Sequence, residues 1–205
     1  MKYGTIASVD RPVSRLFFGA ARPEMIRGEN ANELLDSMFA LGVNAFDCAR
    51  NYGLAEKSLG MWLEHRGRRD DVVLLSKCGH HDTETMEKRV NAKCMREDLS
   101  VSLSLLGVDR IDIYLLHRDD ESRPVGEMVE TFNQMHAEGK IGAFGASNWT
   151  HERIEQANEY AYAHNLLPFS VSSPNYGLAR QVCDPWGGNC VSISGPENAA
   201  ARAWY

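Results

Sequence analysis

Four polar residues lie where apolar segments of the sequence end, and their side chains together could carry out proton transfer. Asp47, Lys77 and His117 each directly follow a mostly apolar run, and Tyr52 lies a few positions after Asp47. A carboxylate, an amine, an imidazole and a phenol gathered in one place can hold a proton and deliver it to a reacting oxygen. Their usefulness depends on whether the fold brings them together.

The elements that must position these residues are strands and helices in alternation. Apolar strand-like segments alternate with segments of helical periodicity, which is typical of a parallel sheet with helical crossovers. The six predicted strands span 16–20, 44–48, 72–77, 112–117, 143–148 and 169–175. Parallel strands point the same way, so the residues at their carboxyl ends converge on the face where β/α barrels carry out chemistry. The sequence therefore predicts an α/β fold, a TIM-type (β/α)8 barrel with about six strand–helix units, not closed by this chain.

The predicted helices carry one apolar stripe each. In the clearest of them the apolar positions follow the i, i+3, i+4, i+7 spacing, with Gly139 as a stop signal; they are Val125, Met128, Val129, Phe132 and Met135. Residues 30–33 read as a capping box that opens the first helix. Further helices are predicted over 151–165 and from Glu197 onwards.

Length and composition indicate one folded domain, residues 1–205, with a long loop at 176–196 after the sixth strand. The 205 residues are 43% hydrophobic and 24% charged, as in ordinary folded proteins. A net charge of -6 without a basic run argues against a nucleic-acid partner. No apolar stretch approaches the roughly 18 residues of a membrane span, and no signal peptide is recognisable, so we predict a cytoplasmic protein. Five cysteines without a Cys-x-x-Cys pair fit buried, reduced thiols.

Several segments resemble the motifs of one enzyme family. The residues in question are 42–49, Tyr52-Gly53, Glu56 with Gly60, 75–77, 112–117 and 139–148. The first group resembles the first signature of the aldo-keto reductases, and the others are similar to further family motifs in the same order and at similar spacing. The resemblance covers nearly the whole chain. It implies an oxidoreductase that uses NADP, rather than NAD, to reduce a small carbonyl substrate.

The resemblance also implies roles for the four polar residues. Tyr52 would be the general acid, and Asp47, Lys77 and His117 its supports. Reduction of a carbonyl requires a hydride at carbon and a proton at oxygen, and a neighbouring cation makes a phenol a stronger acid. Lys77 would supply that cation and Asp47 would keep it charged and oriented. His117 would hydrogen-bond the substrate oxygen.

By the same resemblance, Ser147 and Asn148 correspond to the family's pair that binds the nicotinamide carboxamide. Ser173 stands where the family usually has Gln at the end of the sixth strand. No Gly-x-Gly-x-x-Gly follows the first strand, which disfavours a doubly wound dinucleotide fold. The family's last two strands have no counterpart here, so we expect an incomplete barrel with exposed edges, and the oligomeric state stays open.

Two other functions remain open from the residues alone. The first is a metal-dependent hydrolase on a similar barrel, with ligands drawn from Asp47, His80, His81, His117 and Asp119. Against it, adjacent histidines on one strand would point in opposite directions. The second is a non-catalytic binding subunit that keeps the fold and acts through partners. Two positions are open for the residues that closely follow strand ends, Trp149, Asp119 and Asp120: the border of the substrate pocket or an exposed loop.

Overall fold

Six parallel strands form the centre of the molecule. The computed structural model describes residues 1–178 and 190–205. The strands of the main sheet are β3 (Phe17–Gly19), β4 (Ala45–Asp47), β5 (Val73–Cys78), β6 (Ile111–Leu116), β7 (Ile141–Ser147) and β8 (Val171–Ser173). They pair in sequential order, β3 to β8, and every pairing is parallel. The sheet curls into a half-barrel, as the sequence predicted.

Helices connect the strands, as the sequence pattern indicated. They are α1 (Pro23–Ile26), α2 (Asn32–Ala40), α3 (Ala55–Arg66), α4 (Ala92–Leu106), α5 (Val125–Ala137), α6 (His151–Ala163) and α7 (Ala199–Trp204). The apolar stripe predicted for the clearest helix is the buried face of α5, which includes Met128, Phe132 and Met135. Its packing against β7 follows from that stripe, because a one-sided apolar helix must cover another apolar surface.

The core has two layers because each strand presents alternate side chains to opposite faces of the sheet. The larger layer lies between sheet and helices and includes the fully buried Phe46, Trp62 and Tyr114. The smaller layer lines the other face of the sheet, where the side chains of Val73, Ile113 and several neighbours pack together.

An N-terminal hairpin joins the smaller core layer. It is formed by β1 (Tyr3–Gly4) and β2 (Val13–Ser14), which pair in antiparallel fashion. Val13 belongs to the smaller layer, and Ile6 and Val9 pack against it. Arg69 donates a hydrogen bond of 2.7 Å to the buried carboxylate of Asp112 near the start of β6. These contacts fix the end of the sheet opposite to the strands' carboxyl ends.

Some sequence-based boundaries were wrong. The predicted capping box does not form, because Ala31 is the N-cap of α2 and makes no side-chain cap. Asn30 instead accepts a hydrogen bond from the backbone of Asn32, a short-range turn that competes with the box. The first and sixth strands are shorter than predicted, and the last helix begins only at Ala199, after a 3₁₀ turn at Pro196–Asn198.

The predicted loop at 176–196 lies partly outside the described residues, which omit 179–189. In its described part, residue Ser192 forms a parallel bridge with Asn175, next to the carboxyl end of β8. In the described ranges 1–178 and 190–205, no helix has the length and apolar character required to cross a membrane.

We predict that the close contact of β7 with β8 tolerates no side chain at Gly145. A Cβ at this position would collide with the backbone carbonyl of Val171, its partner in the sheet register. Gly145→Ala should therefore lower the free energy of unfolding by about 1–3 kcal/mol, as overpacking does elsewhere. Urea titration followed by circular dichroism would measure it.

The matched control is Gly19→Ala in β3, where a Cβ would have no neighbour within 4 Å. Its free energy of unfolding should stay within roughly 0.5 kcal/mol of the unsubstituted protein. Equal effects of the two substitutions would contradict the described β7–β8 pairing.

Candidate active site

The seven residues singled out in the sequence line one cleft of about 500 Å³ at the carboxyl ends of the strands. These residues are Asp47, Tyr52, Lys77, His117, Ser147, Asn148 and Ser173. We call it the strand-end cleft. Parallel strand direction explains the convergence, because β4 to β8 all deliver their last residues to the same edge.

A buried ion pair forms the floor of the strand-end cleft. The ammonium of Lys77 donates to the carboxylate of Asp47 and, at 2.9 Å, to the carbonyl of Cys48. Only 3% of the Lys77 side chain is exposed, whereas Asp47 keeps 28%. A buried ammonium requires such compensation, since removing an unpaired charge from water is costly. The pair also links the ends of β4 and β5.

Tyr52 lies above this pair, in the turn between β4 and α3. Its backbone N–H donates to Ala49 and its carbonyl accepts from Ala55, which fixes the turn. The ammonium nitrogen of Lys77 is 5.1 Å from the centroid of the Tyr52 ring. The phenol therefore lies beside a cation that is held in place from below.

His117 forms the next side of the strand-end cleft and is held neutral. Its ring meets the Tyr52 ring edge-on at a centroid distance of 5.6 Å. Burial, chiefly, and the nearby charges of Lys77 and Arg118 lower the pKa of His117 to about 2. Its Nδ1 is buried and has no hydrogen-bond partner among the described residues. A neutral imidazole keeps one N–H, which can donate to a substrate oxygen without carrying charge.

The cleft wall at β7 and β8 carries two hydroxyls and an amide. The Ser147 hydroxyl donates to the carbonyl of Ser173 at 2.8 Å. The amide nitrogen of Asn148 donates to the Ser147 hydroxyl and to the carbonyl of His117, both at 3.1 Å. Asn148 has φ 59°, a left-handed conformation that asparagine tolerates better than most residues.

This set of groups fits the carboxamide of a nicotinamide ring. The side-chain oxygen of Asn148 is committed to no hydrogen bond with the described residues, so it is left to accept from an amide N–H. The hydroxyls of Ser147 and Ser173 add donor and acceptor capacity beside it. Ser173 lines this wall at the position where the resemblance implies a longer Gln side chain.

Some neighbours of the site were not predicted from the sequence. Asn51 and Arg118 also line the strand-end cleft, and His80 packs against His117 with 4.9 Å between ring centroids. Sequence position could have indicated Arg118, because it directly follows the strand-end residue His117. Conversely, Trp149 does not border the strand-end cleft. It is fully buried and donates its indole N–H to the carbonyl of Arg118 at 3.0 Å.

The two aspartates that follow His117 are held in ion pairs. Asp119 accepts from Arg153 at 3.2 Å, and Asp120 accepts from Lys88 at 2.8 Å. Both pairs order the loop after β6. Within the described ranges, no three of the His, Cys, Asp and Glu side chains group so as to hold a metal ion. The ligands proposed for a hydrolase, Asp47, His80, His81, His117 and Asp119, therefore do not form a metal site.

The cysteines next to the ion pair are inert. Cys48 and Cys78 are both fully buried. Burial raises the pKa of the Cys48 thiol to about 12 and also raises that of Cys78. Neither forms the thiolate needed for redox chemistry near neutral pH. Glu56 lies close by, where it accepts a hydrogen bond of 2.6 Å from Ser76 and ties α3 to β5.

The neutral state of His117 predicts a pH dependence of stability. Its pKa in the folded protein is about 2, below the ordinary 6.5, so between these values the unfolded chain takes up the proton first. The contribution of His117 to the free energy of unfolding is therefore fully present above about pH 6.5 and declines as the pH falls. Between pH 7.5 and 5.0 the protein should lose roughly 1–2 kcal/mol through His117, measured by urea titration.

His117→Asn should remove this part of the pH dependence and flatten the profile. The matched control, His65→Gln, changes an exposed histidine on α3 and should leave the profile parallel to that of the unsubstituted protein. An unchanged pH dependence in His117→Asn would show that this histidine is not held neutral.

Comparisons with known proteins identify several relatives of this chain. The chain is 32% identical over 177 residues to norsolorinic acid reductase B of Aspergillus parasiticus, covering 80% of this chain and 46% of that protein. It is 31% identical over 183 residues to a probable voltage-gated potassium channel subunit beta of Oryza sativa, covering 87% and 56%. An aryl-alcohol dehydrogenase of Pestalotiopsis microspora is 29% identical over 161 residues, covering 75% and 42%.

These matches show two things. The chain spans about half the length of the curated relatives that it matches. The model of the Aldo/keto reductase family matches residues 15–184, which include the six strands and every residue of the strand-end cleft that the sequence singled out. The chain therefore belongs to the Aldo/keto reductase family.

Proposed function

We propose that this protein is an NADP-dependent oxidoreductase that reduces an aldehyde or ketone to the alcohol, with Tyr52 as the general acid. The observation that carries the proposal is the placement of a phenol between a buried, paired ammonium and a neutral imidazole in one cleft. Reductases among the relatives support the reaction class. A small carbonyl compound is the proposed substrate, and cytoplasmic location remains a prediction from the sequence.

The proposed chemistry divides between cofactor and protein. A bound nicotinamide cofactor supplies the hydride to the carbonyl carbon. The protein's part is the proton: the Tyr52 hydroxyl gives it to the carbonyl oxygen as that oxygen becomes basic. Lys77 favours this transfer because its charge stabilises the phenolate left behind. Such general acid catalysis contributes roughly 10² to 10⁴ in rate.

His117 and Asp47 act on either side of the proton donor. The neutral imidazole of His117 would donate a hydrogen bond to the substrate oxygen and orient it toward Tyr52. Asp47 would keep the Lys77 ammonium in place, because a paired and hydrogen-bonded charge has one preferred position. Ser147, Asn148 and Ser173 would hold the nicotinamide carboxamide on the opposite wall of the cleft.

The described residues would form part of a single β/α barrel domain. The strands β3 to β8 would supply six of the eight that a closed barrel needs. The relatives are about twice as long as the matched region, so the complete barrel of the active protein would include further strands.

We predict that Tyr52→Phe removes nearly all carbonyl reduction while the cofactor still binds. The rate of NADPH oxidation with 4-nitrobenzaldehyde should fall by about 10² to 10⁴, because the proton donor is lost. The Kd for NADPH, followed by nucleotide fluorescence, should change less than about threefold, a difference well under 1.4 kcal/mol.

The matched control is Tyr162→Phe, which alters an exposed tyrosine on α6 and should keep full turnover. Full turnover in Tyr52→Phe would contradict the assigned acid, whereas absence of NADPH binding to the unsubstituted protein would contradict the reductase proposal itself.

A separate prediction concerns the cofactor wall. Asn148→Gly keeps the left-handed backbone conformation but removes the amide, so it should weaken NADPH binding about tenfold, the value of one or two hydrogen bonds. Ser122→Ala, in the loop after β6, changes a polar side chain that does not line the cleft and should leave the Kd unchanged. Equal Kd values for Asn148→Gly and the unsubstituted protein would contradict the assigned wall.

A second candidate function is a binding subunit that acts through partners. It is favoured by relatives named as potassium channel beta subunits. Tyr52 and Lys77 support the reductase over this candidate, since a purely structural subunit has no need of a proton donor beside a buried cation. Cofactor binding without any carbonyl reduction by the unsubstituted protein would favour the subunit.

A further inference from the structure

Arg118 lies between the strand-end cleft and a second cleft. The second cleft has a volume of about 430 Å³ and is bounded by the loops that follow β5 and β6, with Met86, Lys88 and Glu121 among its lining residues. We call it the loop cleft. Arg118, Asn148 and Cys190 line both clefts, so the two spaces meet at these residues.

The backbone carbonyl of Arg118 is hydrogen-bonded, whereas most N–H groups of its guanidinium have no acceptor among the described residues. Nη1 donates to the carbonyl of His117 at 2.9 Å, and the carbonyl of Arg118 accepts from the Trp149 indole. Its Nε is buried and, within residues 1–178 and 190–205, has no hydrogen-bond partner. Guanidinium groups have five N–H donors in a planar fork that matches a carboxylate, so most of this donor capacity is uncommitted.

Arg118 also carries an unbalanced charge. The other strong cations of the two clefts have carboxylate partners: Lys77 with Asp47, Lys88 with Asp120, and Arg89 with Asp98. Among the described residues no carboxylate lies within ion-pair distance of Arg118. Asp119, its neighbour in sequence, pairs with Arg153 instead. The carboxylate that remains in the loop cleft, Glu121, is exposed to solvent, which screens its charge.

The positive charge lies on the substrate side of the proposed reaction centre. Arg118 directly follows His117, and its charge contributes to the lowered pKa of that histidine. Of the residues proposed for the nicotinamide carboxamide, Asn148 reaches the loop cleft, whereas Ser147 and Ser173 line only the strand-end cleft. Most of the loop cleft extends over the loops after β5 and β6, away from Ser147 and Ser173. A molecule whose carbonyl contacts Tyr52 and His117 can therefore extend past Arg118 into the loop cleft.

We propose that Arg118 binds an anionic group of the substrate, so that the preferred substrates are aldehydes or ketones carrying a carboxylate. This inference rests on the proposed function and adds a substrate class to it. The carboxylate would accept hydrogen bonds from the guanidinium while the carbonyl lies at Tyr52. Charge-assisted pairing of this kind gives both affinity and orientation.

The test compares two benzaldehyde probes, one with a carboxylate and one with its neutral methyl ester, each across the same set of variants. 4-Carboxybenzaldehyde carries the anion, and its methyl ester, methyl 4-formylbenzoate, is the neutral analogue. For Arg118→Gln, kcat/KM with the acid should fall about ten- to a hundredfold, while kcat/KM with the ester should change less than about threefold. Arg118→Lys, which keeps the charge but loses the fork, should show an intermediate loss with the acid.

The matched control is Arg15→Gln, which removes an exposed arginine ahead of β3, at the opposite end of the sheet. It should leave the ratio of the two kcat/KM values unchanged. Equal losses with acid and ester in Arg118→Gln, or a parallel rise in the Kd for NADPH, would overturn the inference, because Arg118 would then serve the fold or the cofactor.

Calorimetric binding of 4-carboxybenzaldehyde separates this inference from the proposed function. If the unsubstituted protein reduces neither probe, the reductase proposal fails, and an acid affinity lost in Arg118→Gln would still support the anion site. Acid binding that is the same in the unsubstituted protein and in Arg118→Gln would overturn the site whether or not turnover occurs.

Discussion

The site depends on the burial of one ammonium group. Lys77 is almost completely withdrawn from solvent, and a charge in that position is tolerated only with close compensation. Asp47 and the carbonyl of Cys48 provide it, and both belong to the end of the neighbouring strand or directly follow it. The same compensation fixes the ammonium nitrogen beneath the ring of Tyr52. The contact between Lys77 and Asp47 therefore joins the ends of β4 and β5 and also positions the ammonium for the proposed proton transfer.

The half-barrel supplies the rigidity that this contact needs. β4 and β5 are packed between two apolar layers, so their carboxyl ends have little freedom to separate. Burial also explains the neutral state of His117, which completes the site on the β6 side. The opposing wall at β7 and β8 is polar and uncharged, which suits an amide better than an ion. The cleft therefore has an ion pair at β4 and β5, a neutral imidazole after β6 and uncharged polar groups at β7 and β8.

Most of the fold was predictable because its signals are local. Apolar runs identified the six parallel strands, and the stripe with Met128 and Phe132 identified α5. The four polar residues of the proposed proton transfer were predictable for a related reason, since strand ends can be read along the chain. Their roles remain predictions, because residue type and position do not measure reactivity.

Other features were not predictable because they depend on contacts between distant segments. Trp149 was expected at the pocket border or in an exposed loop, yet its indole N–H finds the carbonyl of Arg118 and the ring is buried. The ion pair of Asp119 was not predictable either, because its partner Arg153 lies on α6, beyond α5 and β7. The charge of Arg118, which has no carboxylate at ion-pair distance in the described part of the chain, was not predictable because only the three-dimensional arrangement shows which cations are paired. Sequence patterns report the elements well and the charge balance between them poorly.

The central claim is that Lys77 and Asp47 act as one buried unit, and a double-mutant cycle tests it most directly. Lys77→Met, Asp47→Leu and the double variant would be compared by urea titration at pH 7.5. Each substitution lowers the free energy of unfolding. The sum of the two single losses should exceed the loss in the double variant by a coupling free energy of at least about 1 kcal/mol. Effects that add to within about 0.3 kcal/mol would contradict the account, because the two groups would then be independent.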